Sequence, residues 1–231
     1  MKKWKTSNET IIRRLFSVRC NCYVLERNHQ YILIDTSTRI DRDLIEYQLK
    51  KIGVTRLEAI YITHVHTDHV GNAAYFQKKF ACPIYVNQLE YNYMVKGFCE
   101  PPKGTNRYAV CLSKIMHITK KLVLFEPAKC VKMFRERCHI EGFEESLKLI
   151  KLAGHTKGST CIIVDNEIVI VGDTMIHLGN TIYPPFADNK EELPETWQQL
   201  LQYNCRLYLP GHGKEITRKH VNRSLYTLIL K

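Results

Sequence analysis

Nine consecutive residues, Thr63-His64-Val65-His66-Thr67-Asp68-His69-Val70-Gly71, constrain this chain more than any other feature. Three histidines and an aspartate fall within six positions, although the 231 residues include only ten histidines. The segment begins at the end of Leu57–Thr63 (LEAIYIT), which reads as a buried strand. His64 and His66 lie two apart where extended backbone points both imidazoles the same way. Asp68 and His69 come after the strand, where the chain turns, and can point to a second position. One loop can thus supply two ligands to each of two metals, or build a single rich site. Imidazole with carboxylate suits Zn2+, with Fe and Mn as alternatives. The competing reading is a solvent-exposed histidine-rich turn. It is disfavoured because three further ligand-like motifs follow at strand ends.

The first is Leu152-Ala153-Gly154-His155-Thr156-Lys157-Gly158-Ser159, a histidine in a glycine-bounded turn between strands. The second is Gly172-Asp173-Thr174, directly after the apolar run EIVIV. The third is Pro210-Gly211-His212-Gly213, after RLYL, where glycines let the backbone bend and bring the imidazole inward. Each is weak alone: a loop histidine is usually polar surface, and an aspartate at a strand end is usually a cap or turn residue.

Strands and helices alternate along the rest of the chain. Cys22–Arg27 and Gln30–Asp35 read as a hairpin turning at Asn28-His29. Asp41 is placed to cap a helix carrying Ile45, Leu49 and Ile52, which Gly53 ends. A helix follows Gly71, and Pro83–Asn87 reads as a strand. Residues 88–142 are the least regular stretch, with a helix around Tyr108–Ile118, and form either a lid over the site or a long excursion. Leu147–Leu152, Thr160–Val164, Glu167–Val171 and Arg206–Leu209 read as strands, with a turn at Asp165-Asn166. Glu191–Tyr203 and Thr217–Leu230 read as helices. With no linker or repeat, residues 1–231 are expected to form a single domain, an α+β arrangement of two packed sheets with helices outside.

Composition narrows the setting. Hydrophobic residues are 45% and charged residues 25%, as in ordinary globular proteins, which argues against disorder. No apolar run is long enough to span a bilayer, and the basic start MKKWKTSNETIIRRLF develops no apolar signal-peptide core. The expected setting is the cytoplasm. Nine cysteines, an odd number without a C-x-x-C pair, are expected to be reduced and packed as small hydrophobes. The net charge of +11 is spread along the chain and includes no aromatic-interleaved basic block. It is read as solubility, with attraction for a small anionic substrate as the sharper alternative and nucleic acid not expected.

The four motifs THVHTDHVG, GHTKGS, GDT and PGHG occur in the order and rough spacing of the metallo-β-lactamase superfamily. The chain resembles that family over nearly its whole length, including the strand pair ending in LIDT. The resemblance implies a four-layer αββα sandwich with two mixed β-sheets and metals at one edge. It implies that His64, His66 and His155 hold a first divalent metal ion, that Asp68, His69 and His212 hold a second, and that Asp173 bridges both. Many members have Asp-Thr-Gly where this chain has Asp35-Thr36-Ser37. Asp35 is expected to order the metal-bearing loop from behind.

Two divalent cations about 3.5–4 Å apart can share a hydroxide, and such water can be acidified to a pKa near 7. The reading is a dinuclear hydrolase whose bridging hydroxide attacks an ester, lactone or thioester carbonyl, with Asp68 orienting it or shuttling a proton. Ser159 has no supporting base and reads as a turn residue. True β-lactamases generally lack a bridging carboxylate like Asp173, and the ligand pattern is that of glyoxalase II-like thioesterases and acyl-homoserine lactonases. With a single helix read after His212, the helical domain that binds glutathione in glyoxalase II is not expected. The alternatives are a mononuclear iron persulfide dioxygenase of the same fold and a phosphodiesterase or nuclease. Roles for His177 and Tyr183 near the site stay open. Lys157 is expected in solvent, and His29, His117, His139 and His220 at the surface or in packing.

Overall fold

The computed structural model describes residues 1–138, 143 and 146–229. His139, the end of the 88–142 stretch at 139–142, and Leu230 of the last expected helix lie outside the described residues. The chain divides into two compact units. One is Met1–Glu100 with Lys120–Arg135, and the other is Pro101–Thr119 with Glu136–Lys231.

The first unit is built on a seven-stranded mixed sheet in sequence order. β1 (Lys2–Lys5), β2 (Ile11–Leu15), β3 (Cys22–Arg27) and β4 (Gln30–Ile34) form an antiparallel meander. β5 (Ala59–Tyr61), β6 (Ile84–Asn87) and β7 (Val131–Phe134) add in parallel. The β3–β4 turn places Asn28 and His29 at φ +49° and +60°, the left-handed pair that matches strand twist in a two-residue hairpin. β5 is only three residues long, but Ala59, Ile60 and Tyr61 are all buried, as expected of a central parallel strand covered on both faces.

Helix α1 (Arg42–Lys51) starts where the sequence predicts, with Asp41 at its N-cap. The Asp41 carboxylate does not cap the helix. It accepts instead from Val18 N at 2.9 Å and Ser37 Oγ at 2.7 Å, tying the helix start to the β2–β3 and β4–α1 connections. The short α2 (Thr67–Val70) and α3 (Ala73–Phe80) follow β5. Part of the stretch expected to be irregular is ordered here: α4 (Gln88–Lys96) is capped by Asn87, whose side chain accepts from Leu89 N, and Gly97 at φ +72° ends it.

The second unit carries a six-stranded mixed sheet. Its order is β13 (Ile216–Thr217), β12 (Leu207–Pro210), β11 (Ile168–Gly172), β10 (Thr160–Val164), β9 (Leu147–Lys151) and β8 (Arg137–Cys138). Only the β11–β12 pairing is parallel. β10 and β11 are buried at every position, and Asp165 and Asn166 make their turn at φ +50° and +55°. Helix α6 (Leu193–Gln202) presses Trp197 and Leu200 onto Cys161, Val171 and Tyr208. Helix α7 (Arg218–Ile229) adds Val221 and Leu225 to the same core. Helix α5 (Arg107–Ile118), close to its predicted span, is capped by Asn106.

Six of the nine cysteines are buried. Burial pushes the thiols of Cys82, Cys99 and Cys161 up to about 12, so they act as packed apolar groups. Among the described residues no helix is long and apolar enough to cross a membrane.

Candidate metal centre

In the first unit all four predicted residues of the HVHTDH segment lie on one short connection. The chain stays extended through His66 (φ −111°, ψ 151°) and then turns into α2. His64 and His69 are fully buried, while His66 and Asp68 are half-buried. His64 Nε2 and His66 Nδ1 converge to 2.9 Å. The His64 and His69 ring centroids are 4.1 Å apart, and Asp68 Oδ2 is 4.0 Å from His69 Nε2.

Buried supports fix these rings. Asp35, at φ +55° just after β4, accepts from Thr63 N at 2.9 Å and Thr63 Oγ1 at 2.8 Å, and its Oδ2 lies 2.8 Å from His69 Nδ1. With its proton given to Asp35, the Thr63 hydroxyl can accept from His64 Nδ1, 3.1 Å away. Engaging Nδ1 in this way leaves Nε2 of His64 and His69 as the donor nitrogen, the usual arrangement behind a metal-binding imidazole. Asp35 thus does order the loop, as its position in the sequence suggests. Thr36 adds two bonds to the His69 carbonyl, from N at 2.7 Å and Oγ1 at 2.9 Å. Gly71 permits the close approach: a Cβ there would stand 2.8 Å from Ser37 O.

In the second unit the three remaining residues come from three separate connections. His155 follows β9, Asp173 follows β11 and His212 follows β12. His155 Nδ1 lies 2.9 Å from the Phe186 carbonyl, which turns Nε2 toward Asp173 Oδ2 at 3.9 Å. His212 Nε2 is 3.3 Å from the same oxygen. One buried carboxylate oxygen therefore stands between two imidazoles. Glycines make the turns, with Gly154 at φ +129°, Gly172 at +52° and Gly213 at +86°. Ser159 serves the turn as expected: its Oγ accepts from Thr156 N at 2.9 Å.

The sequence matches the model of the metallo-beta-lactamase superfamily over residues 17–212. The chain belongs to the metallo-β-lactamase superfamily. An uncharacterised protein of Mycobacterium leprae is 25% identical over 212 residues, 87% of this chain and 89% of that one. The probable metallo-hydrolase YqgX of Bacillus subtilis is 27% identical over 201 residues, 86% and 87% of the two chains. Among solved structures, TTHA1623 in a di-iron-bound form superposes with a TM-score of 0.65 at 21% identity, covering 92% of this chain and 97% of that one. The B3 metallo-β-lactamase BLEG-1 superposes at 0.67 and 19% identity, covering 93% and 95%. The two mixed sheets with flanking helices are thus the metallo-β-lactamase fold, and the histidines and aspartates gathered within each unit are candidate metal ligands.

Other expectations sort differently. Lys157, His29 and His117 are exposed. His177 and Tyr183 line a cavity of the second unit, and so does His220, which the sequence suggested was bland. One supporting residue was missed. Glu90 on α4 is buried, and its Oε2 accepts from Val65 N at 3.0 Å, pinning the backbone between His64 and His66. The available signal was Asn87-x-x-Glu90, a helix-start pattern in a stretch read as irregular.

Proposed function

We propose that the chain is a dinuclear metal-dependent hydrolase of a small ester, thioester or lactone, working in the cytoplasm. In this reading the four residues of the first unit and the three of the second act as one ligand set. His64, His66 and His155 hold one metal, Asp68, His69 and His212 hold the other, and Asp173 is shared. The observation that carries it is the way the imidazoles are presented. Asp35 and the Phe186 carbonyl occupy the Nδ1 atoms of His69 and His155, leaving Nε2 lone pairs for cations. The donor set of imidazoles and carboxylates fits Zn2+, and equally Fe or Mn. The name of YqgX and the di-iron form of TTHA1623 agree with metal chemistry of this kind.

When bound, such a metal pair supplies an acidified water and Lewis-acid polarisation of the carbonyl. The chain's own residues supply the rest. Asp68, one-third exposed and 4.0 Å from His69 Nε2, is the carboxylate able to take up and release a proton at the solvent side. Asp35, Thr63 and Glu90 hold the loop rigid, so the ligands are organised before a substrate arrives.

The test is metal analysis of the purified chain beside a panel of lactones, thioesters, β-lactams and phosphodiesters. Two zinc per chain with chelator-sensitive carbonyl hydrolysis is expected. Asp68→Ala should lose turnover by at least about a hundredfold while keeping its circular-dichroism spectrum. One iron with oxygen uptake points instead to a persulfide dioxygenase, and phosphodiester cleavage alone to a nuclease. Full turnover in Asp68→Ala removes the role assigned to that carboxylate.

A further inference from the structure

The second unit contains a cavity of about 920 Å3, and none of the seven candidate ligands lines it. That volume is within the range of small-molecule pockets, roughly 300–1,000 Å3. Its walls include His177, Tyr183, Trp197, Lys219, His220 and Arg223, and no carboxylate is among its lining residues.

The charge is one-sided for a structural reason. Lys219 and Arg223 are four apart on α7, so they sit over one another on the same helix face. Like charges so placed repel each other. The sequence of α7, RKHVNRSLYTLI, offers no acidic residue to offset them. Both side chains belong to exposed residues, so their removal leaves the core intact. His220 registers the same field. Burial lowers its pKa, the neighbouring His177 and Arg223 lower it further, and its bond to the Asn180 backbone opposes them.

The remaining walls are flat and fixed. Trp197 is fully buried and donates its Nε1–H to Thr174 O at 2.9 Å. Tyr183 stands edge-on to it, with centroids 6.1 Å apart. The His177 and His220 rings meet at 5.3 Å, and His177 Nδ1 lies 3.2 Å from the Lys214 carbonyl. Rings held in this way lose little freedom when a planar group packs on them.

We propose that this cavity binds a small organic anion, a carboxylate or phosphoryl group carried on a flat ring. The anion pairs with Lys219 and Arg223, and the ring packs on Tyr183, which Trp197 backs, and on the two histidines. Since the cavity shares no residue with the proposed metal ligands, the inference stands apart from the hydrolase reading.

The experiment is calorimetric titration of the full chain with phenylphosphonate, and with benzyl alcohol as its uncharged counterpart. Two charge-assisted contacts predict that the double variant Lys219→Ala/Arg223→Ala binds phenylphosphonate about tenfold weaker or more. Asn222→Ala, on the same helix but outside the cavity lining, and His66→Ala should bind as the wild type does, and benzyl alcohol should bind no variant measurably. Equal affinity in the double variant overturns the proposal, as does a wild type that binds benzyl alcohol equally well or phenylphosphonate not at all. Loss of binding in His66→Ala would also overturn it, by placing the anion on metal instead.

Discussion

The two units turn the chain around their candidate ligands by different means. In the first, residues with side chains occupy the left-handed region: Asp35 at φ +55° and Ser37 at +52°. In the second, glycines do so, with Gly154, Gly172 and Gly213 at +129°, +52° and +86°. A non-glycine residue there costs about 1–2 kcal/mol. The first unit offsets that cost with buried side-chain hydrogen bonds, which a glycine could not make. The same Asp35 that is strained also engages Thr63 and His69. In the second unit the His155 ring is held by a backbone carbonyl, Phe186 O, and side-chain support is limited to the Ser159 hydroxyl on Thr156 N, so the turns rely more on backbone freedom. Metal-binding loops can therefore be stiffened by side chains that tolerate strain, or by backbone that avoids it, and the two designs should fail differently when mutated.

The largest expected effect is at Asp35. Asp35→Ala deprives Thr63 N, Thr63 Oγ1 and His69 Nδ1 of an acceptor at once, all of them buried. Each stranded buried group costs about 1–3 kcal/mol, so several kcal/mol of unfolding free energy should be lost in a urea titration. Zinc affinity, read by competition with a chromogenic chelator, should fall about 10–100-fold. A variant losing under about 1 kcal/mol would mean that the side-chain scaffold is not what holds the first unit's loop.

The same contrast explains what could be read from the sequence. The HVHTDH segment was legible by itself because its candidate ligands are neighbours in the chain, and strand alternation says which way His64 and His66 point. His155, Asp173 and His212 were legible only as a set, since each looks like an ordinary turn residue until its companions are counted. Most strands, and the primed turns at Asn28-His29 and Asp165-Asn166, followed from alternation and turn chemistry. The β1–β2 hairpin did not, because KKWK and IIRRL, at one side of the sheet, carry several polar side chains and little apolar periodicity. Helix α4 and its Glu90 were hidden by nearby glycines and prolines. Glu90 acts across 25 residues on Val65 N, a tertiary bond that no local pattern announces. Asp41 was read as a cap from its position, whereas its carboxylate binds Val18 N and Ser37 Oγ, partners that only folding brings near.

A middle-sized effect is expected at Gly213, where the glycine design can be broken directly. A Cβ there would lie 2.0 Å from the His177 carbonyl oxygen, a backbone atom that cannot swing aside, and φ is +86°. Gly213→Ala should cost about 2–3 kcal/mol. Gly179 is the matched control: its φ is +57°, but nothing lies within 4 Å of its Cβ position. Gly179→Ala should cost only the conformational penalty, about 1 kcal/mol. The difference between the two measures the steric part alone. Equal losses would show that the approach of His177 to the His212 turn can relax.

The smallest effect, and the sharpest test of the comparison, is to give the first unit the second unit's solution. Ser37→Gly relieves a left-handed conformation worth about 1–2 kcal/mol. Against this, the freer unfolded chain costs about 0.4–1 kcal/mol. The 2.7 Å bond from Ser37 Oγ to Asp41 Oδ2 is also lost, although Asp41 keeps Val18 N. That bond, to a carboxylate, is worth about 1.5–3 kcal/mol at most. The terms sum to a net loss centred near 1.5 kcal/mol, read as a lower urea midpoint with an unchanged slope. A loss clearly above about 3 kcal/mol would mean that the serine bond, not the backbone, sets the turn in front of Gly71. A gain above about 1 kcal/mol would mean that the strain at Ser37 is not offset locally and that the two units differ less in design than their φ angles suggest.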